Sequence, residues 1–285
     1  KAISMLPRFC EGEKYENRVL EVGDGSTLDL GGGDMLHFVG APMIHWPEVM
    51  MIWYPGAKTF FSADAFGRFG AIGADIDNIA ESRRYYFNIV GKYGAQVQSL
   101  LAKIKDLPIE HIASLHGPVI DDPAEIVSLY DIWSSYLPEC DGTLVAYASI
   151  YGNTARVARK LANILRKKNP LLPVVEIDLT RMEYSDALSQ AFRMKNIVLA
   201  ASTYDGGLFT PMSDFLNRLA AKTLRNRRVA LIENGSWAPQ AARLMSATLS
   251  TMKNIEIISP TITVQTAPDS ETENVLRQLA DNLLA

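Results

Sequence analysis

Beyond residue 142 the chain alternates between short apolar runs and stretches whose apolar positions recur every three to four residues. The apolar runs at 143–148, 174–178, 196–201, 228–233 and either 255–258 or 262–264 read as strands. Helical spacing fills the intervals at 154–167, 184–191, 211–221, 239–252 and 270–284. Strict strand and helix alternation of this kind predicts a parallel sheet with helices on both faces, a doubly wound α/β unit. Ligands of such sheets bind beyond the carboxyl ends of the strands, where the strand order reverses.

The first half has a different rhythm. Short apolar runs at 19–22, 27–30, 35–39, 49–53 and 58–62 are punctuated by Gly-Asp-Gly, Gly-Gly-Gly and Pro-Gly turns, which predicts an antiparallel or mixed sheet. Helical periodicity takes over from 77 to 105 and again from 123 to 137, so an α+β unit is expected. Glu139-Cys140-Asp141-Gly142 marks the expected boundary, giving domains at 1–138 and 142–285.

Composition narrows the function classes. With 285 residues, 48% of them hydrophobic and 21% charged, the chain is long enough for two cores. A net charge of −4, without a basic block, argues against nucleic acid as a partner. No apolar run is long enough to span a bilayer, so no membrane segment is expected. Cys10 and Cys140 stand alone, which writes neither a disulfide framework nor a CxxC metal site and reads as cytoplasmic usage. The chain opens on Lys1 without a turn or N-cap signal, and an upstream segment is therefore expected.

Candidate chemistry sits in the loops after the strands of the second half. The first strand–helix turn reads Ser149-Ile150-Tyr151-Gly152-Asn153-Thr154. Small polar residues around one glycine let the backbone curl around an anion, and the helix N-terminus behind them offers free amides. The turn has neither GK[ST] nor GxGxxG, which disfavours a nucleoside triphosphate or a dinucleotide. A plain helix cap at Thr154 is the alternative. The turns Ser202-Thr203-Tyr204-Asp205-Gly206-Gly207 and Asn234-Gly235-Ser236-Trp237 follow the third and fourth strands on the same edge. Aromatic residues beside flexible loop amides suit a planar ring, although surface aromatics are common. These three loops make the segment 143–285 resemble the flavodoxin family. That resemblance implies flavin mononucleotide (FMN), with its phosphate in 149–154 and its ring between 202–207 and 234–237.

Three further residues draw attention upstream: His45 in Pro42-Met43-Ile44-His45-Trp46-Pro47-Glu48, Asp64 in Ser62-Ala63-Asp64-Ala65-Phe66-Gly67, and His116 in Leu115-His116-Gly117-Pro118. Imidazoles and a carboxylate are ligands suited to iron or zinc, and a carboxylate can bridge two ions. Each also has an ordinary reading as a packed histidine, a helix cap or a turn residue. His37 and His111 are read as structural.

Taken with the flavin loops, this block resembles the flavodiiron proteins, which join a metallo-β-lactamase-like domain holding two irons to an FMN domain. The resemblance implies that His45 binds one iron, Asp64 bridges both and His116 binds the other. It further implies reduction of O2 to water or NO to N2O, electrons from a separate rubredoxin or flavin reductase, and a head-to-tail homodimer or dimer of dimers. The family's HxExDH motif does not occur in this sequence, so the diiron centre is incomplete and the chain is N-terminally truncated relative to the family. The alternative is an FMN electron carrier on a degenerate, metal-free scaffold. A zinc hydrolase would need the same absent motif and would leave the flavin loops unexplained.

Overall fold

The computed structural model describes residues 1–10 and 17–285, which form two compact units, Lys1–Ser135 and Tyr136–Ala285. None of the described helices is long and apolar enough to cross a membrane.

In the first unit, helix α1 (Ala2–Phe9) precedes strands β1 (Thr27–Gly31), β2 (Asp34–Gly40), β3 (Met50–Tyr54) and β4 (Thr59–Phe61). Helices α2 (Asn78–Ile89) and α3 (Gly94–Ile104) follow, then β5 (His111–Ala113), β6 (Ile120–Asp121) and α4 (Ala124–Ser134). The six strands pair in chain order, antiparallel throughout except for the parallel contact of β4 with β5. The expected mixed α+β arrangement is borne out. Its core is strongly aromatic: Phe60, Phe66, Tyr86, Phe87, Tyr130 and Trp133 are all buried.

Two details depart from the sequence pattern. The helix expected over 77–105 is two helices separated by a 3₁₀ turn at Gly91–Tyr93, where glycines at 91 and 94 interrupt the run. Asp77 caps the first of them, accepting from the Ala80 amide at 2.9 Å. Residues 19–22 form no strand, and Val19 and Leu20 lie exposed.

The second unit contains β7 (Cys140–Ala148), α5 (Asn153–Lys168), β8 (Val174–Asp178), α6 (Tyr184–Arg193) and β9 (Met194–Tyr204). It continues with β10 (Gly207–Leu208), α7 (Thr210–Ala221), β11 (Arg227–Asn234), α8 (Ala241–Leu249), β12 (Ile255–Val264) and α9 (Ser270–Leu284). The parallel order is β12-β11-β9-β7-β8, with β10 folding back on β9 as a hairpin. Helices α5 and α9 share one apolar core with the sheet, while α6, α7 and α8 pack in succession over it. The doubly wound expectation is borne out. The two short runs offered as alternatives for the last strand belong to one strand: β12 slips register where Pro260 stands, which an edge strand tolerates. Chain order reverses beside β7, whose neighbours are β8 and β9, and this reversal opens a crevice at their carboxyl ends.

Candidate functional site

A cavity of about 390 Å³ lies in that crevice, a size suited to a small-molecule ligand. All three loops singled out in the sequence reach it. Ile150, Tyr151, Asn153 and Thr154 line it from the turn after β7. Ser202, Thr203, Tyr204, Asp205 and Gly206 contribute from the end of β9, and Asn234, Gly235, Ser236 and Trp237 from the end of β11. Ser149, Gly152 and Gly207 lie off the lining. Ala238, Gln240 and Thr266 also line the cavity and were missed in the sequence.

The turn after β7 is shaped for an anion. Gly152 has φ of +85°, the left-handed region, and space around its missing Cβ is open. Its amide donates to Ser149 Oγ at 3.1 Å, so the Ser149 hydroxyl is engaged in holding the turn closed. Gly152 is the N-cap of α5 and no side chain caps that helix, which leaves the first amides of a 16-residue helix without side-chain acceptors. Thr154, expected as a cap in the alternative reading, instead sets its buried hydroxyl 3.0 Å from Ser202 Oγ.

Aromatic side chains from all three loops reach the same cavity. Tyr151 and Trp237 are 93% and 91% exposed, and Tyr204 is half exposed against Phe209. Large aromatic faces held this openly over a cavity suit stacking. The turn at Asp205 and Gly206 has positive φ at both positions, the geometry of a two-residue hairpin joining β9 to β10. Among the described residues, Asp205 is the one Asp, Glu, Lys, Arg or His in the lining. Near the end of β11, buried Glu233 accepts from the Ala242 amide at 2.9 Å and from Thr263 Oγ1 at 2.8 Å, tying α8 to the sheet.

FMN fits this cavity: uncapped amides and hydroxyls at the start of α5 suit a phosphate, and exposed aromatic faces from the three loops suit a ring.

The first unit brings His45, Asp64 and His116 together. Asp64 Oδ2 is 3.3 Å from His45 Nε2, and Asp64 Oδ1 is 3.1 Å from His116 Nε2. The imidazoles thus sit on different oxygens of one carboxylate. Gly67 makes the contact possible. A Cβ there would lie 2.7 Å from Ser114 Oγ and 3.0 Å from both the Cβ and carbonyl oxygen of His116. The two segments are zipped by backbone bonds from Leu115 N to Ala63 O at 2.8 Å and from Arg68 N to His116 O at 3.2 Å. Ala63 and Phe66 adopt positive φ around Asp64, and the Phe66 amide donates to the buried Tyr130 hydroxyl at 2.6 Å. Tyr85 packs beside His116, and burial, reinforced by the Asp64 charge, pushes its phenol well above the ordinary tyrosine range.

Two ligand atoms sharing one ion are about 3.0–3.4 Å apart when each bond is about 2.1 Å. Both His–Asp separations match such an edge, and the carboxylate between two imidazoles has the form of a bridge. Even so, among the described residues no group of three or more His, Cys, Asp or Glu side chains could hold a metal ion. Three donors fall far short of two irons, and the described residues do not fit a complete diiron centre. His37 lies in β2, and His111 bonds Asp121 across β5 and β6 at 2.7 Å, a partner that the sequence reading did not find.

A flavodoxin domain model matches residues 144–259. The anaerobic nitric oxide reductase flavorubredoxin of Escherichia coli is 29% identical over 204 residues, 68% of this chain and 42% of that protein. The chain therefore spans less than half the length of the curated relatives it matches. Rubredoxin oxygen:oxidoreductase from Desulfovibrio gigas superposes with a TM-score of 0.86 at 21% identity, over 99% of this chain and 71% of that one. The flavodiiron protein of Giardia intestinalis gives 0.83 at 23% identity, over 93% and 68%. At such identities these structures speak for the fold alone.

Proposed function

We propose that the chain is a flavodiiron-type, FMN-dependent oxidoreductase reducing O2 to water, NO to N2O, or both, a reading supported by its flavodoxin match and its flavorubredoxin and flavodiiron likenesses. The observation that carries this reading is the convergence of three βα loops on one cavity, which combines free helix amides with open aromatic faces. When bound, FMN supplies exchange of electrons singly or in pairs. This chain's residues do the binding. The α5 amides and the Thr154 and Ser202 hydroxyls hold the phosphate, while Tyr151, Tyr204 and Trp237 flank the ring and shield it from water. Asp205 opposes the build-up of negative charge on a reduced flavin.

His45, Asp64 and His116 are proposed as three of the ligands of a non-haem iron pair, in a metallo-β-lactamase-like region ending near residue 138, before an FMN domain over 142–285. Rubredoxin or a flavin reductase is the proposed electron donor, and a head-to-tail homodimer or dimer of dimers the proposed assembly. A second reading is an FMN electron carrier on a metal-free scaffold. Reconstitution with FMN and ferrous iron separates the two. Because His45, Asp64 and His116 alone fall short of two irons, the expected result of about two irons per flavin, with O2 or NO consumed when rubredoxin is supplied, applies to a protein that carries this chain together with the further iron ligands. Stoichiometric flavin without iron or gas consumption establishes the carrier instead.

A further inference from the structure

The loop after β12 has no place in the sequence motifs, yet it is bonded at several points to the loop that carries Trp237. The Asn234 side chain, nearly buried, donates from Nδ2 to the Thr266 carbonyl at 3.1 Å and accepts the Thr266 amide on Oδ1 at 3.2 Å. Thr266 Oγ1 donates to Ser236 Oγ at 2.8 Å, and the Gly235 amide donates to Val264 O at 3.1 Å. On the far side of Trp237, the amides of Gln240 and Ala241 both donate to Thr203 Oγ1, at 2.9 and 3.2 Å. A Cβ at Gly235 would lie 2.8 Å from Pro239 Cα, so the loop is folded back closely on itself. Trp237 is consequently the free apex of a loop fixed at both feet.

Asn234 was expected as a cofactor ligand, but both functions of its amide are occupied by Thr266. Thr266 itself lines the cavity and holds φ of +69°, a left-handed conformation that threonine adopts at a cost. A reciprocal two-bond clamp at a strained residue fixes a loop more firmly than either bond alone, since neither group is free to turn.

We infer that Asn234 and Thr266 are positioning residues that set Trp237 for stacking on the planar ring of the ligand, making the loop after β12 a fourth wall of the flavin site. This inference rests on the FMN reading. Because it concerns the ring end, it separates from phosphate binding. Loss of the clamp weakens FMN and riboflavin by the same factor, while loss of a phosphate contact weakens FMN alone.

The test is a double-mutant cycle on the full chain, with FMN and riboflavin as probes and quenching of flavin fluorescence as readout. Asn234→Ala is expected to weaken both flavins about tenfold and to reduce the quenching, in line with loss of a paired amide. In a Trp237→Ala background the same substitution is expected to add less than about twofold, because its effect passes through the tryptophan. Thr266→Gly keeps the backbone bonds, suits the positive φ and removes only the bond to Ser236, so a folded protein with about a threefold loss is expected. Full loss from Asn234→Ala in the Trp237→Ala background overturns the inference. So does unchanged affinity and quenching with lowered thermal stability, which marks a purely structural role. Wild-type protein that binds neither flavin removes the FMN reading as well, and that result is read before any variant is made.

Discussion

The two candidate sites differ in what their polar groups have left to do. At the edge of β7, β9 and β11, amides of α5 face the cavity without side-chain partners and aromatic faces stand open to solvent. Around Asp64, by contrast, the donors have found each other, His45 on one carboxylate oxygen and His116 on the other. The first arrangement is complete within one sheet edge, because successive βα units deliver their loops to the same place. The second is assembled from segments 19 and 52 residues from Asp64, and the close approach at Gly67 holds two of them together. A site built by repetition of one supersecondary unit is self-sufficient, whereas one built by convergence of distant loops depends on every contributor.

Breaking the convergent site should have the largest effect. Gly67→Val drives a branched side chain into Ser114 and His116, so the first unit is expected to lose about 2–3 kcal/mol of stability, as in overpacked cores. Two-domain thermal unfolding checks this, and flavin affinity should stay at the wild-type value. A parallel fall in FMN affinity contradicts the independence of the two sites.

Next in size is the phosphate end of the flavin cavity. Thr154→Val keeps the buried volume but removes the hydroxyl facing Ser202. FMN affinity is expected to drop about tenfold while riboflavin affinity holds, because only FMN carries the phosphate. Equal losses for both ligands would place the phosphate elsewhere.

Asp64→Ala sharpens the comparison from the other side. Its pairs with His45 and His116 are partly exposed, and removing them should change stability by less than about 1 kcal/mol. Iron uptake, where present, should disappear with the flavin spectrum unaltered. Retained iron at full stoichiometry refutes the bridging role.

The smallest effect is electrostatic. Lys103 donates to Asp24 at 2.7 Å, and that bond, with the Gly40 amide, holds the Asp24 carboxyl below its ordinary value of 3.8. A carboxylate whose folded pKa is lowered stabilises above its unfolded pKa and loses that contribution as pH falls through the folded one. The pair is exposed, so Lys103→Met should lower the melting temperature slightly at neutral pH, and the offset should shrink as pH falls through the folded pKa of Asp24, leaving only the part due to the Lys103 bond to the Gly40 carbonyl. A constant offset down to acid pH rules out the ion pair as the cause.

How far the sequence carried this picture follows from the physics of each region. The βα alternation was legible because a sheet buried on both faces demands apolar runs, and α5 and α9 print their buried faces at helical spacing. Asp64, His45 and His116 were legible as ligand types, but their mutual contact was not, since it depends on a glycine 3 residues beyond Asp64 meeting a loop far along the chain. Helix α1 escaped notice because it buries no residue, has no side-chain cap and contains Pro7. Thr266 escaped for another reason: it acts largely through its own amide and carbonyl, which no side-chain pattern encodes.

The central claim is that the second unit completes an FMN site on its own. Titration of flavin-free protein with FMN and with riboflavin, followed by fluorescence quenching, tests it most directly. One FMN per chain is expected, with strong quenching by Trp237 and Tyr204 and riboflavin bound at least about tenfold more weakly for want of its phosphate. Equal affinity for the two flavins, or no binding of either, would contradict it.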